Sequence, residues 1–142
     1  MFKTKVGYSV NIDDFKAGAE AASKLEKLGN LKLVTLFTNC DMNQSDVLDG
    51  IKSVIGNKAL IGCTSSGGIV VPDGLIRGKN YAGVMGFSDD DLIVGVAGSA
   101  AGKNAREVGK KIARQAITNA GIKKVPSYFY MIASPGEEED YL

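Results

Sequence analysis

The sequence predicts an α/β domain: a mixed β-sheet with a βαβαβ start, a β-hairpin and a long helix, with helices packed on the sheet. Three observations carry this. From Val6 to Ile69, apolar runs of strand length alternate with stretches of helical periodicity. Tyr81 to Phe87 and Leu92 to Ala97 are two strand-like runs separated only by Ser88-Asp89-Asp90-Asp91, which reads as a hairpin. A long amphipathic helix follows, and Tyr128 to Ala133 reads as a further strand, so the sheet is not expected to be purely parallel.

Val6 to Val10 reads as the first strand. Asp13 and Asp14 stand where an N-cap and first-turn acids belong, and Phe15, Ala19, Ala22, Leu25 and Leu28 recur at helical spacing until Gly29 and Asn30. Leu31 to Phe37 is apolar apart from Lys32 and Thr35, the pattern of a strand covered on both faces. Asn39, Cys40, Asp41 and Asn43 make a polar loop at its end. Ser45 is placed to cap a second helix with the stripe Val47, Leu48, Ile51, Val54 and Ile55, closed by Gly56 and Asn57. Ala59 to Cys63 is the third strand. Ala105, Val108, Ile112, Ala116 and Ala120 form the apolar stripe of the third helix, ended by Gly121. Ser134-Pro135-Gly136-Glu137 has the residues of another helix start, yet Leu142 follows within two turns. The expectation is therefore a single domain over residues 1–142, incomplete at its C-terminus, from a longer protein.

Composition narrows the chemistry. Lys+Arg 17 against Asp+Glu 16 gives 17 − 16 = +1, which leaves no electrostatic footprint for nucleic acid or an anionic membrane. Histidine is absent, which removes Ser-His-Asp and Cys-His nucleophilic sites and histidine-ligated metals from what this chain does alone. Cys40 and Cys63 are the two thiols, too few for a disulfide framework or a four-ligand zinc site within one chain. No apolar run reaches the roughly 18 residues of a membrane span, and with unpaired thiols this reads as a cytoplasmic protein. Gly 18 of 142 is high, and the glycines follow no fixed period, so several backbone positions are expected to need unusual dihedrals or close approach.

Two segments invite a chemical reading. Ala97-Gly98-Ser99-Ala100-Ala101-Gly102-Lys103-Asn104 nearly matches a phosphate-binding loop but has Asn104 where a hydroxyl should reach magnesium, so a Gly/Ala turn is the plainer interpretation and nucleotide binding the alternative. Gly62-Cys63-Thr64-Ser65-Ser66-Gly67-Gly68-Ile69 leaves the C-terminal end of a strand, where ligands of open α/β sheets sit, with small side chains, hydroxyls and free amides. Its plain reading is a Gly-rich turn with Cys40 and Cys63 buried as small hydrophobes. A thiol-dependent enzyme using Cys63 would need a nearby cation to form thiolate, and the local sequence supplies none. Lys103, Arg106, Lys110 and Arg114 read as the solvated face of the third helix, and Glu137 to Asp140 as helix-start acids.

These segments together resemble a known family. The start Gly7-Tyr8-Ser9, the strand Leu33-Val34-Thr35-Leu36-Phe37-Thr38, the run Leu60 to Ile69 with its Gly-Cys-Thr-Ser core, then Gly74 and Tyr81-Ala82-Gly83-Val84, are similar to the FIST N-terminal domain. The resemblance implies a cytoplasmic sensory domain of bacterial and archaeal signal transduction that binds a small molecule such as an amino acid. By it, Ser9, Asn39, Gly62, Cys63, Thr64, Ser65, Gly67 and Gly68 are the ligand-facing candidates. Gly68 stands where many relatives have Glu. No catalytic residue, metal or cofactor is expected. The partners implied are the small ligand and a downstream signalling domain or protein, and an exposed strand edge allows a homo-oligomer.

Overall fold

The computed structural model describes residues 1–100 and 104–133. The chain divides into two compact units, Met1–Leu92 and Ile93–Leu142. In the first, the elements are β1 (Lys3–Ser9), α1 (Asp14–Ser23), a 3-10 turn (Glu26–Leu28), β2 (Leu31–Asn39), α2 (Gln44–Ile55), β3 (Ala59–Ser65), β4 (Ile69–Val71), β5 (Gly74–Ile76) and β6 (Ala82–Ser88).

The four-stranded sheet has the order β1-β6-β2-β3. β2 and β3 are parallel, while β6 runs antiparallel to both β1 and β2. β1, β2 and β3 therefore all point the same way, with β6 inserted between the first two. The architecture is the mixed α/β sheet that the sequence predicts.

The hairpin lies elsewhere than at the expected place. β4 and β5 form it, paired Ile69↔Ile76 to Val71↔Gly74. Leu92 to Ala97 forms no strand, because both edges of β6 are already occupied by β1 and β2, and no backbone edge is left for a returning arm. Tyr128 to Ala133 likewise forms no strand.

Helix α1 starts at Asp13, whose carboxylate accepts from the Lys16 amide at 2.9 Å. Its buried residues are Ala17, Gly18, Ala21 and Ala22; of the stripe expected from the sequence, Ala22, Leu25 and Leu28 are buried, whereas Ala19 is half-buried and Phe15 exposed. Steric closeness explains this. A Cβ on Gly18 would stand 2.2 Å from the Val47 carbonyl of α2, and one on Gly50 2.0 Å from the Phe15 carbonyl of α1. The two helices meet backbone to backbone at Gly18 and Gly50, where no side chain fits, with Ala17, Ala21 and Ala22 of α1 and Val47 and Ile51 of α2 packed around that contact.

Helix α2 is capped by Asn43, with its side-chain oxygen accepting from the Ser45 amide at 3.1 Å; Ser45 is not the cap. Val47 and Ile51 from α2, Ala17, Ala21 and Ala22 from α1, and Val34, Leu36, Ala82 and Val84 from the sheet form the main core. A second cluster of Ile69, Val71 and Tyr81, flanked by Val6, Tyr8 and Phe37, places the β4-β5 hairpin against the sheet.

In the second unit, α3 (Ala105–Asn119) is capped by Asn104, which accepts from the Glu107 amide at 3.2 Å, and it ends at Gly121 with φ +68°. Its apolar stripe is only half-buried; no residue of the helix is fully buried. The helix start expected at Ser134 lies outside the described residues.

Candidate functional site

The strand directions bring the candidate residues to one edge of the sheet. Ala82, the first residue of β6, pairs with Ser9 on one side and Thr38 on the other, and Asn39 pairs with Ser65. The C-terminal ends of β1, β2 and β3 and the start of β6 thus lie side by side, where ligands of open α/β sheets bind.

Much of the polar chemistry there is already paired. Ser9 is buried and its hydroxyl donates to Glu20 of α1 at 2.6 Å, while Asn11 Nδ2 donates to the other oxygen of that carboxylate at 2.8 Å. These two hydrogen bonds, that from Ser9 first, hold Glu20 below the usual glutamate range. Asn39 is buried: its Nδ2 donates to the Gly78 carbonyl at 2.8 Å and its Oδ1 accepts from the Asp41 amide at 2.7 Å. Asn39 is the last residue of β2 and not part of the loop that follows. Thr38 donates to Gln44 Oε1 at 2.6 Å, and Gln44 in turn donates to the carbonyls of Asn39 and Met42.

Tyr81 ties the Gly-rich loop down. Its side chain is fully buried, its hydroxyl donates to the Ser65 carbonyl at 2.5 Å and it accepts from the Gly68 amide at 3.1 Å. Ser65 Oγ adds a bond to the Gly68 carbonyl at 2.8 Å. Gly68 has φ +119°, and a Cβ there would approach the Ile76 carbonyl to 2.4 Å. Any side chain at 68, a glutamate included, is therefore excluded from this conformation. Beside the loop, Tyr8 Oη donates to Asp73 at 2.8 Å, which raises the phenol above its ordinary range.

The other candidates differ. Gly62, Cys63 and Thr64 lie on β3, the outer strand, and are exposed. Gly62 serves packing: a Cβ there would meet the Leu36 carbonyl at 2.1 Å. Both cysteines are free and exposed, in contrast to the buried positions that a plain Gly-rich turn suggested. Cys63 pairs with Phe37 across the strands and Cys40 follows Asn39, so both stand near this edge. Gly67 is exposed, with open space where its side chain would be.

The profile of the FIST N domain matches residues 32–142. The chain belongs to the FIST N domain family. FIST domains are sensory domains of signal transduction that bind small ligands. No curated protein matches the chain. Among solved structures, it is similar to thiamine-monophosphate kinase from Stenotrophomonas maltophilia K279a, with a TM-score of 0.43 and 16% identity over 81% of this chain. The chain spans 42% of that kinase. A likeness this weak leaves the kinase's chemistry with the kinase.

In this FIST N domain several residues of the edge escape sequence reasoning. Glu20 and Tyr81 sit within ordinary helix and strand patterns, and their roles depend on partners 11 and 16 residues away. Asp14 is a first-turn acid in the sequence, yet it also accepts from the Asn43 amide at 2.8 Å and from Asn80 Nδ2 at 3.3 Å, joining three loops. Two shallow depressions, of about 270 and 250 Å3, lie elsewhere, along α3 at Lys110 and Arg114 and beside Gly29 and Asp89. Of the phosphate-loop alternative, residues 101–103 lie outside the described residues, and Asn104 is the α3 cap. No helix among the described residues is long and apolar enough to cross a membrane.

Proposed function

We propose that this edge binds a small polar molecule such as an amino acid, and that the domain acts in the cytoplasm as a non-catalytic sensor read by a downstream domain or protein. The observation that carries the reading is the convergence of three parallel strand ends with the Ser65–Gly68 loop, which Tyr81 holds in a conformation only glycine allows. A loop fixed before the ligand arrives spares the ordering entropy that a flexible one would lose on binding. Binding rather than turnover is supported by the groups present: hydroxyls, carboxamides, backbone, two thiols with no cation in the local sequence, and the carboxylates of Glu20 and Asp73, which already accept from Ser9, Asn11 and Tyr8, with no histidine in the chain to serve as a base. The two free thiols favour a reducing compartment.

Thermal-shift measurements against amino acids, and against ATP with Mg²⁺, test this. A ligand at about 100 times its Kd adds about 2.7 kcal/mol, enough to raise Tm by several degrees. Stabilisation by amino acids, weakened in Thr64→Ala and Ser66→Ala variants, is the expected result. Stabilisation by ATP with Mg²⁺ alone overturns the reading in favour of a nucleotide site, and consumption of the added compound overturns the non-catalytic assignment.

A further inference from the structure

We propose that Arg77 is the specificity-determining residue of the strand edge and selects ligands that carry a carboxylate. The inference rests on the ligand-binding reading above and names the chemical class of ligand. The register of the hairpin, Ile69 opposite Ile76, sets Arg77 directly across from Gly68. Its Cγ lies 3.1 Å from where a Cβ on Gly68 would stand, so the arginine stem occupies the space that glycine vacates. The stem is thereby placed against the loop while the residue remains exposed.

Arg77 has no ion-pair partner among the described residues, where the ion pairs are Met1 with Asp89, Lys16 with Asp13 and Lys110 with Glu107. Asp73, the acid of the same hairpin, is engaged by the Tyr8 hydroxyl at 2.8 Å. The adjoining Gly67 is exposed, and its amide has no protein acceptor among the described residues. A planar guanidinium presents paired N–H donors that match the two oxygens of a carboxylate, and a free amide alongside completes such a site.

Calorimetric titration of the 142-residue chain with L-alanine, L-leucine, L-serine and L-glutamate, and with the α-carboxamide of each, tests the assignment. The wild type is expected to bind at least one acid about tenfold or more tightly than its amide. Arg77→Gln should abolish that preference without lowering Tm, Arg77→Lys should restore part of it, and Lys79→Gln should leave it intact. An unchanged preference in Arg77→Gln, or amides that bind as well as acids to the wild type, overturns the role of Arg77 and leaves the binding edge standing. Equal competition by inorganic phosphate overturns selectivity for carboxylates. If none of the eight compounds binds, both readings fail together.

Discussion

The edge of the sheet has two halves with opposite chemistry. Around Ser9, Thr38, Asn39 and Tyr81, the side-chain polar groups find partners in the chain itself, and no buried side-chain nitrogen or oxygen among the described residues lacks one. Around Cys63, Thr64, Ser66, Gly67 and Arg77, the groups face solvent. The first half is a scaffold whose hydrogen bonds set loop positions, and the second is the surface those loops present. A hydroxyl at a strand end thus becomes structural or available according to whether the fold brings a partner to it.

Substitutions at Tyr81 should break this contrast most severely. Tyr81→Ala empties a fully buried site and should cost about 3–5 kcal/mol, whereas Tyr81→Phe keeps the ring, orphans the Ser65 and Gly68 groups and should cost about 1–3 kcal/mol, both read by urea unfolding. Asn39→Ala should follow at about 1–3 kcal/mol, since it strands the Gly78 carbonyl and the Asp41 amide.

A subtler test uses pH. Glu20 is held below its ordinary value of about 4.3, so the stability it brings is present above that pH and is lost as the pH falls through the folded-state value. Ser9→Ala removes the larger cause and should flatten this acid-side decline; a melting curve series with the same slope in both proteins would refute the role given to the Ser9–Glu20 bond. In the open half, Thr64→Ala and Ser66→Ala should change stability by no more than about 0.5 kcal/mol. Cys40 and Cys63 should both react with a thiol reagent in the folded protein, without denaturant.

How far the sequence can be read depends on the range of the interaction. Helix α1 was legible from Asp13, and the end of α2 from Gly56, because caps and stops are local hydrogen bonds. Even so, Asn43 rather than Ser45 caps α2, since Asp14, 29 residues away, holds the Asn43 amide and sets the entry of the chain. The ligand-facing candidates were legible as a set only through the family resemblance. Their division into closed and open halves was not legible, because it depends on Glu20, Gly78 and Tyr81 arriving from other elements.

By itself, then, the sequence determined the alternation of strands and helices, the mixed α/β class and the exclusion of histidine chemistry, all of which follow from local periodicity and composition. Only the tertiary structure decided that β6 lies between β1 and β2, that the hairpin is therefore at Ile69–Ile76 and not after Phe87, and that the helices α1 and α2 touch at Gly18 and Gly50. Strand edges and close backbone approaches are shared between segments far apart in the chain. Which segment claims them is settled by competition among all of them, and no local pattern records the outcome.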